Sequence, residues 1–250
     1  MSRKQLISYV VTTILYGFLL GWKWAALLTF GIGFHEMCHI WMARKQGLPT
    51  GGFYLIPFMG GVALMTGRYK TLWQQAQVVL AGPLGGGLMA CLFCGVYFIT
   101  GVPVIGAAGI LMLLLNVFNL LPMSFMDGGQ LMGTITYTVS RKLGLIVKIA
   151  SSVVAAVVLL WMNPILSLFV VVFGGMEIHQ EFRNYQNLKA GRRWLVPDTY
   201  LYPPTKLSTK QLIMTISGHL GTAVLLGSVL FITENAMHMD SIKTAYDLMK

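Results

Sequence analysis

Apolar residues occupy this chain in long blocks, with most polar residues gathered between them. The blocks cover about residues 6–22, 24–43, 73–100, 104–121, 145–161, 164–175 and 212–233. A bilayer core takes roughly 20 residues of helix to cross. Several blocks approach or exceed that length. The pattern predicts an all-α polytopic membrane protein, a six- or seven-helix transmembrane bundle. Gly47 and Pro49 end the second block after Arg44-Lys45, and Asn163-Pro164 marks a turn between the fifth and sixth. The first block follows a short basic start, Arg3-Lys4, as a signal peptide would. It shows no small-x-small cleavage pattern and a second block follows at once, so it is read as a retained helix.

One apolar stretch breaks the pattern. Residues 51–67 are too short and too rich in Gly and Pro for a spanning helix. Aromatic and branched side chains around Pro57-Phe58-Met59-Gly60-Gly61 predict a short membrane-associated β-hairpin or re-entrant loop. Such backbone survives at membrane depth only where protein or a wet cavity shelters it. The expected organisation is a transmembrane core over residues 1–176, a basic stretch over 177–210 with Pro197, Pro203 and Pro204, and a further helix and tail over 211–250. No internal repeat or low-complexity tract is present.

Composition agrees with the blocks. Of 250 residues, 56% are hydrophobic and only 10% charged, against about 25% charged in soluble chains. The net charge of +10 does not point to nucleic acid, because the basic residues are spread over the loops. It orients the chain instead. With the N-terminus in the cytoplasm, 15 of the 18 Lys and Arg residues fall at or near the cytoplasmic side, leaving Lys23, Lys243 and Lys250 opposite. That is the positive-inside asymmetry. It places the protein in an inner or plasma membrane with its N-terminus toward the cytoplasm. Of the three cysteines, Cys91 and Cys94 read as small helix-packing residues, and Cys38 as a spacer.

Ionisable groups are costly in hydrocarbon, by roughly 2.5–3.5 kcal/mol on insertion scales. Yet the second block contains His35-Glu36-Met37-Cys38-His39 and no other charge between Trp24 and Ala43. On a helix, positions i and i+4 differ by about 40° around the axis, so His35 and His39 share one face. Two imidazoles there can hold one metal ion, and Glu36 can reach a water beside it. A catalytic zinc needs a third protein ligand and an open position. Asp127 is the best candidate, an isolated carboxylate in apolar surroundings on the same predicted side. Glu177 and Glu181 are rivals, but they stand among Arg183, Lys189 and Arg192, where solvated ion pairing explains them.

Glu36 is then the general base. A developing oxyanion needs a further stabiliser. Asn116 and Asn119 are amides in an apolar helix, and Asn119, nearer Asp127, is the choice for that role. A bond between helices explains either amide as well. Ala81-Gly-Pro-Leu-Gly-Gly-Gly87 is read as close helix packing against the catalytic helices. His219, alone in the last block, invites no ligand assignment.

Taken together, His35-Glu36-Met37-Cys38-His39, Ala81-Gly82-Pro83 and Asn119-Leu-Leu-Pro122…Met126-Asp127-Gly128-Gly129 resemble the site-2 protease family of intramembrane zinc metalloproteases. The resemblance covers about residues 6–185. It implies a zinc ion held by His35, His39 and Asp127, with Glu36 catalytic. It implies a transmembrane protein as substrate, cut in or near its membrane segment, with the lipid bilayer and a possible membrane regulatory protein as further partners. The segment around Pro57–Gly61 resembles the family's membrane-associated strands, thought to present an edge to an unwound substrate. No PDZ-type or nucleotide-sensing domain is recognisable in the 250 residues, which fits a minimal form. Two other readings stay open. One is a prenyl-protein or quality-control type of membrane metalloprotease with Glu177 as third ligand; the other is a non-proteolytic metal-binding membrane protein.

Overall fold

The structure, a computed structural model, describes residues 2–57, 60–123, 126–162, 167–168, 170–195 and 205–236. The turn at Asn163-Pro164, the hairpin tip Phe58-Met59, Pro197, Pro203 and Pro204 lie outside the described residues. Helices α1 (Arg3–Leu20) and α2 (Trp22–Lys45) come first. A hairpin of β1 (Thr50–Ile56) and β2 (Gly60–Met65) follows. Then come α3 (Leu72–Thr100), α4 (Pro103–Asn119), α5 (Asp127–Val139), α6 (Arg141–Met162), α7 (Gly175–Lys189) and α8 (Thr209–Ala236). The architecture is helical with one small sheet, and the stretch expected to be a hairpin forms one.

Two described helices are long and apolar enough to cross a membrane, α3 and α8, with α4 a shorter apolar helix. Length and apolarity alone thus mark two of the six or seven expected spans among the described residues. In α2 the reason is visible. Its 24 residues include Lys23, Arg44 and Lys45 as well as His35, Glu36 and His39, and each lowers the mean hydropathy of an otherwise apolar stretch.

Two compact units are recognised. The first contains α1, α2, the hairpin, α3 from Leu80 onward, α4 to Phe118 and the end of α8. Ser2 caps α1 reciprocally: its backbone N–H donates to Gln5 Oε1 at 2.7 Å, and its hydroxyl accepts from Gln5 N at 3.4 Å. Such a box satisfies orphan donors of the first turn. Three polar residues of α1 at helical spacing then grip β1. Gln5 Nε2 donates to the Gly51 carbonyl. Leu55 N donates to Ser8 Oγ at 3.3 Å, and Thr12 Oγ1 donates to the Leu55 carbonyl at 3.2 Å. The other edge of β1 pairs antiparallel with β2, from Gly52↔Leu64 to Ile56↔Gly60, with an irregularity between Thr50 and Gly52. Among the described residues, the far edge of β2 has no strand beside it. Tyr16, Ala25, Ile32 and Leu55 form the apolar core beneath, flanked by Tyr9, Leu28, Phe53 and Leu115.

The second unit contains residues 68–79 and 119–219. Its α5 was not expected from the sequence. Asp127-Gly-Gly-Gln-Leu-Met-Gly-Thr-Ile-Thr-Tyr-Thr-Val139 is short and rich in Gly and β-branched residues, all poor helix formers. It is helical because tertiary packing outweighs propensity: Leu131 and Thr134 are fully buried. The stretch 177–210, expected only as a polar basic segment, begins with the helix α7. Lys148 of α6 and Glu181 of α7 form an ion pair at 3.0 Å. Glu181 is thereby engaged structurally. Burial pushes its carboxyl up to about 7, so desolvation outweighs the nearby ammonium.

Candidate metal centre

The second half of α2 places His35, Glu36 and His39 inside the protein, at 2%, 7% and 6% exposure. Met37 and Trp41 on the opposite face are 57% and 60% exposed. The helix therefore turns its ionisable stripe inward and its apolar stripe outward, the reverse of a soluble amphipathic helix. His35 Nε2 and His39 Nε2 lie 3.0 Å apart, and the two rings meet edge to face with centroids 4.7 Å apart. Both nitrogens point at one spot, as the i, i+4 spacing requires.

Glycines from two other elements close around this stripe. A side chain at Gly82 of α3 would collide with His39 Nε2 and come within 2.7 Å of His35 Nε2. A Cβ at Gly61 of β2 would lie 2.6 Å from Glu36 Oε1. Gly85 faces Cys38, and a Cβ there would lie 3.0 Å from the Cys38 Cβ. The Ala81–Gly87 stretch does pack against the helix that carries the histidines, as expected. The finer point is that Gly82 packs on the imidazole nitrogens of His39 and His35. Gly61 was read only as part of a hairpin, yet it sets β2 directly over the carboxylate.

Asp127 opens α5 and is 7% exposed. Within its own unit it is held by a close approach: a Cβ at Gly128 would run into the backbone carbonyls of Leu120 and Leu121. Only glycine permits that contact, which gives the Asp127-Gly128 pair a structural reason. Tyr69 also belongs to this surrounding. Burial, and then the negative charge of Asp127, push its phenol up to about 12. His35 and His39 of the first unit each offer an imidazole nitrogen, and Asp127 of the second unit offers a carboxylate oxygen. All three side chains are buried, which suits a charged donor set only when a cation is present to offset it. The donors fit a zinc ion: two imidazole nitrogens and one carboxylate, with a glycine where a side chain would fill the cradle.

Of the two asparagines, the structure ties Asn116 to the histidine pair. Its Oδ1 lies 2.9 Å from His35 Nδ1. Asn119 is the last residue of α4 and is half-buried. Glu177 lies on α7. His219 is half-buried on α8, and no group of three potential metal ligands among the described residues includes it.

Comparison with known proteins supports the resemblance seen in the sequence. Residues 23–110, which include the His35–His39 stretch, match the model of Peptidase family M50. Zinc metalloprotease MJ0392 of Methanocaldococcus jannaschii is 33% identical over 187 residues, covering 64% of this chain and 53% of that protein. A Synechocystis protein, sll0528, provisionally named a zinc metalloprotease, is 32% identical over 143 residues, covering 54% of this chain and 37% of its own. Rip3 of Mycobacterium tuberculosis, named in the same provisional way, is 35% identical over 123 residues, 45% of this chain and 30% of its own. The chain thus spans about half the length, or less, of the curated relatives it matches. The resemblance to this metalloprotease family is borne out.

Proposed function

We propose that the chain is an intramembrane zinc metalloprotease that hydrolyses peptide bonds in or near the transmembrane segments of other membrane proteins. The observation that carries the reading is the buried pair of imidazole nitrogens on His35 and His39, 3.0 Å apart, next to a carboxylate pressed against a strand. His35, His39 and Asp127 hold one zinc ion. The ion supplies Lewis acidity toward water and toward the scissile carbonyl. Glu36 takes the proton from the attacking water and delivers it to the leaving amine, one carboxylate serving as base and then acid. Asn119 is assigned the second contact to the developing oxyanion.

The sheet explains how a peptide reaches Glu36. A membrane helix hides its scissile bonds in its own hydrogen bonding and must be unwound first. The edge of β2 that has no strand beside it among the described residues offers ladder partners to such an extended segment. Because Gly61 lies on Glu36, a strand added there runs past the catalytic carboxylate. The grip of α1 on the outer edge of β1 leaves β2 as the receiving edge. The six- or seven-helix arrangement, the multi-pass topology and the cytoplasm-facing site belong to this proposal, supported by the charge asymmetry and the two apolar helices.

The rival with Glu177 as third ligand is separated by metal content. Asp127→Ala should lose the bound zinc, and Glu177→Ala should keep one equivalent, each measured on purified protein in detergent. Zinc retained by the first variant and lost from the second would sink this assignment.

A further inference from the structure

The hydrogen bond between His35 and Asn116 joins two helices at the centre of the first unit, and its chemistry can be worked out from the atoms around it. Asn116 is 1% exposed. Its Nδ2 donates to the Met112 carbonyl at 2.7 Å. A carbonyl can only accept, so the amide NH2 must face Met112 and the amide oxygen must face His35. That oxygen lies 2.9 Å from His35 Nδ1. It has no proton to give, so Nδ1 carries one. A neutral imidazole with a protonated Nδ1 has its lone pair on Nε2, the atom that faces His39 Nε2 at 3.0 Å. The amide is also locked from behind. A Cβ at Gly86 would come within 2.7 Å of Nδ2, so α3 leaves room for this amide and little else.

We propose that Asn116 is a positioning residue. It holds the His35 ring in one orientation and in the tautomer that presents Nε2 to the metal, without touching metal or substrate itself. The inference rests on the proposed zinc reading. It concerns an amide one helical turn before Asn119, the asparagine to which the sequence directs attention. Metal-binding histidines generally donate their second ring nitrogen to such a partner, and removing it costs about 10–100-fold in affinity.

Two variants of the full chain test this: Asn116→Leu, close in size but without an acceptor, and Asn116→Asp, which keeps an acceptor in place. Zinc affinity is read by competition with a chromogenic chelator in detergent. The His35 tautomer is read by nitrogen-15 NMR on metal-free, histidine-labelled protein. Asn116→Leu should weaken zinc binding by about 10–100-fold and lose the uniform Nδ1–H form, whereas Asn116→Asp should hold zinc far more tightly than Asn116→Leu and keep that form. Unchanged affinity in a folded Asn116→Leu protein would overturn the proposal. So would an Asn116→Asp protein that loses affinity as far as the leucine variant. If Asn116→Leu fails to fold, the aspartate variant alone decides. A wild-type protein that binds no zinc would overturn the metal reading, while the tautomer in metal-free protein still reports on the Asn116 bond.

Discussion

The two described helices that are long and apolar enough to cross a membrane make different use of the same residue. In α3, 56% of the most apolar window is buried; in α8, 17% is. The glycines of α3 between Gly82 and Gly87 follow this division, whereas Gly95 farther along has nothing within 4 Å of an added Cβ. Gly82, Gly85, Gly86 and Gly87 of α3 meet His39, Cys38, Asn116 and Leu226 so closely that a methyl group would displace each neighbour. Gly221 and Gly227 of α8 have nothing within 4 Å of an added Cβ. Small residues in membrane helices are usually credited with letting backbones approach. Here one helix uses glycine to fit its backbone around a buried histidine, a cysteine, an amide and a leucine, and the other presents glycine to open surroundings. Residue type alone does not separate these cases; what lies opposite does.

The comparison yields graded expectations. The largest effect belongs to Gly82→Ala, whose methyl group falls on the His39 and His35 ring nitrogens. Cleavage of a membrane substrate should drop by about 100-fold or more, since a displacement of about 1 Å at a reacting centre costs that much. Bound zinc should fall with it. Normal zinc content and normal turnover in this variant would mean that α3 does not border the site as described. Next comes Gly61→Ala. It pushes on Glu36 rather than on the histidines, so zinc should remain at one equivalent while turnover falls by about 10²-fold, the lower end of a general-base contribution, because the carboxylate is displaced and not removed. Zinc loss there would show that β2 shapes the metal ligands instead.

A smaller effect, of opposite sign, is expected in α8. Gly221→Ala and Gly227→Ala relieve a helix-interior glycine without a clash and should stabilise the helix by about 0.5–1 kcal/mol each. Thermal unfolding in detergent would show it, with cleavage unchanged. A loss of activity in either variant would break the contrast between the helices. The smallest effect is spectroscopic. Tyr69 is pushed up to about 12 by burial and then by the Asp127 charge. In metal-free protein, Asp127→Asn removes that charge, so the phenol should ionise at lower pH. The change is followed as tyrosinate absorbance against a Tyr69→Phe background. An unmoved transition would separate Tyr69 from Asp127.

Much of the site is legible in the sequence because lipid makes polarity conspicuous. His35, Glu36, His39 and Asp127 stand out against apolar neighbours, and helical periodicity places the histidines on one face. The hairpin is legible from Gly and Pro within a run too short to span. Other features are not, for physical reasons. The helix beginning at Asp127 is hidden by Gly and Thr, whose low propensity is overridden by burial of Leu131 and Thr134. Asn116 and Asn119 lie about 60° apart on a helix of 3.6 residues per turn, and the sequence does not say which one faces His35. That depends on where α3 lies, and α3 can lie there only because Gly86 has no side chain. The two glycines nearest the chemistry, Gly61 and Gly82, appear in the sequence as a turn and a packing motif. Their role emerges only when the atom opposite each is known.

In the proposed reaction one buried zinc and one carboxylate together cut peptide bonds. The most direct test is Glu36→Gln in the full chain, reconstituted in liposomes with a membrane-protein substrate, with zinc content and cleavage measured on the same sample. The variant should hold one zinc per chain, with cleavage reduced by about 10²–10⁴-fold, the range for loss of a general acid–base group. Cleavage at the wild-type rate with zinc in place would contradict it.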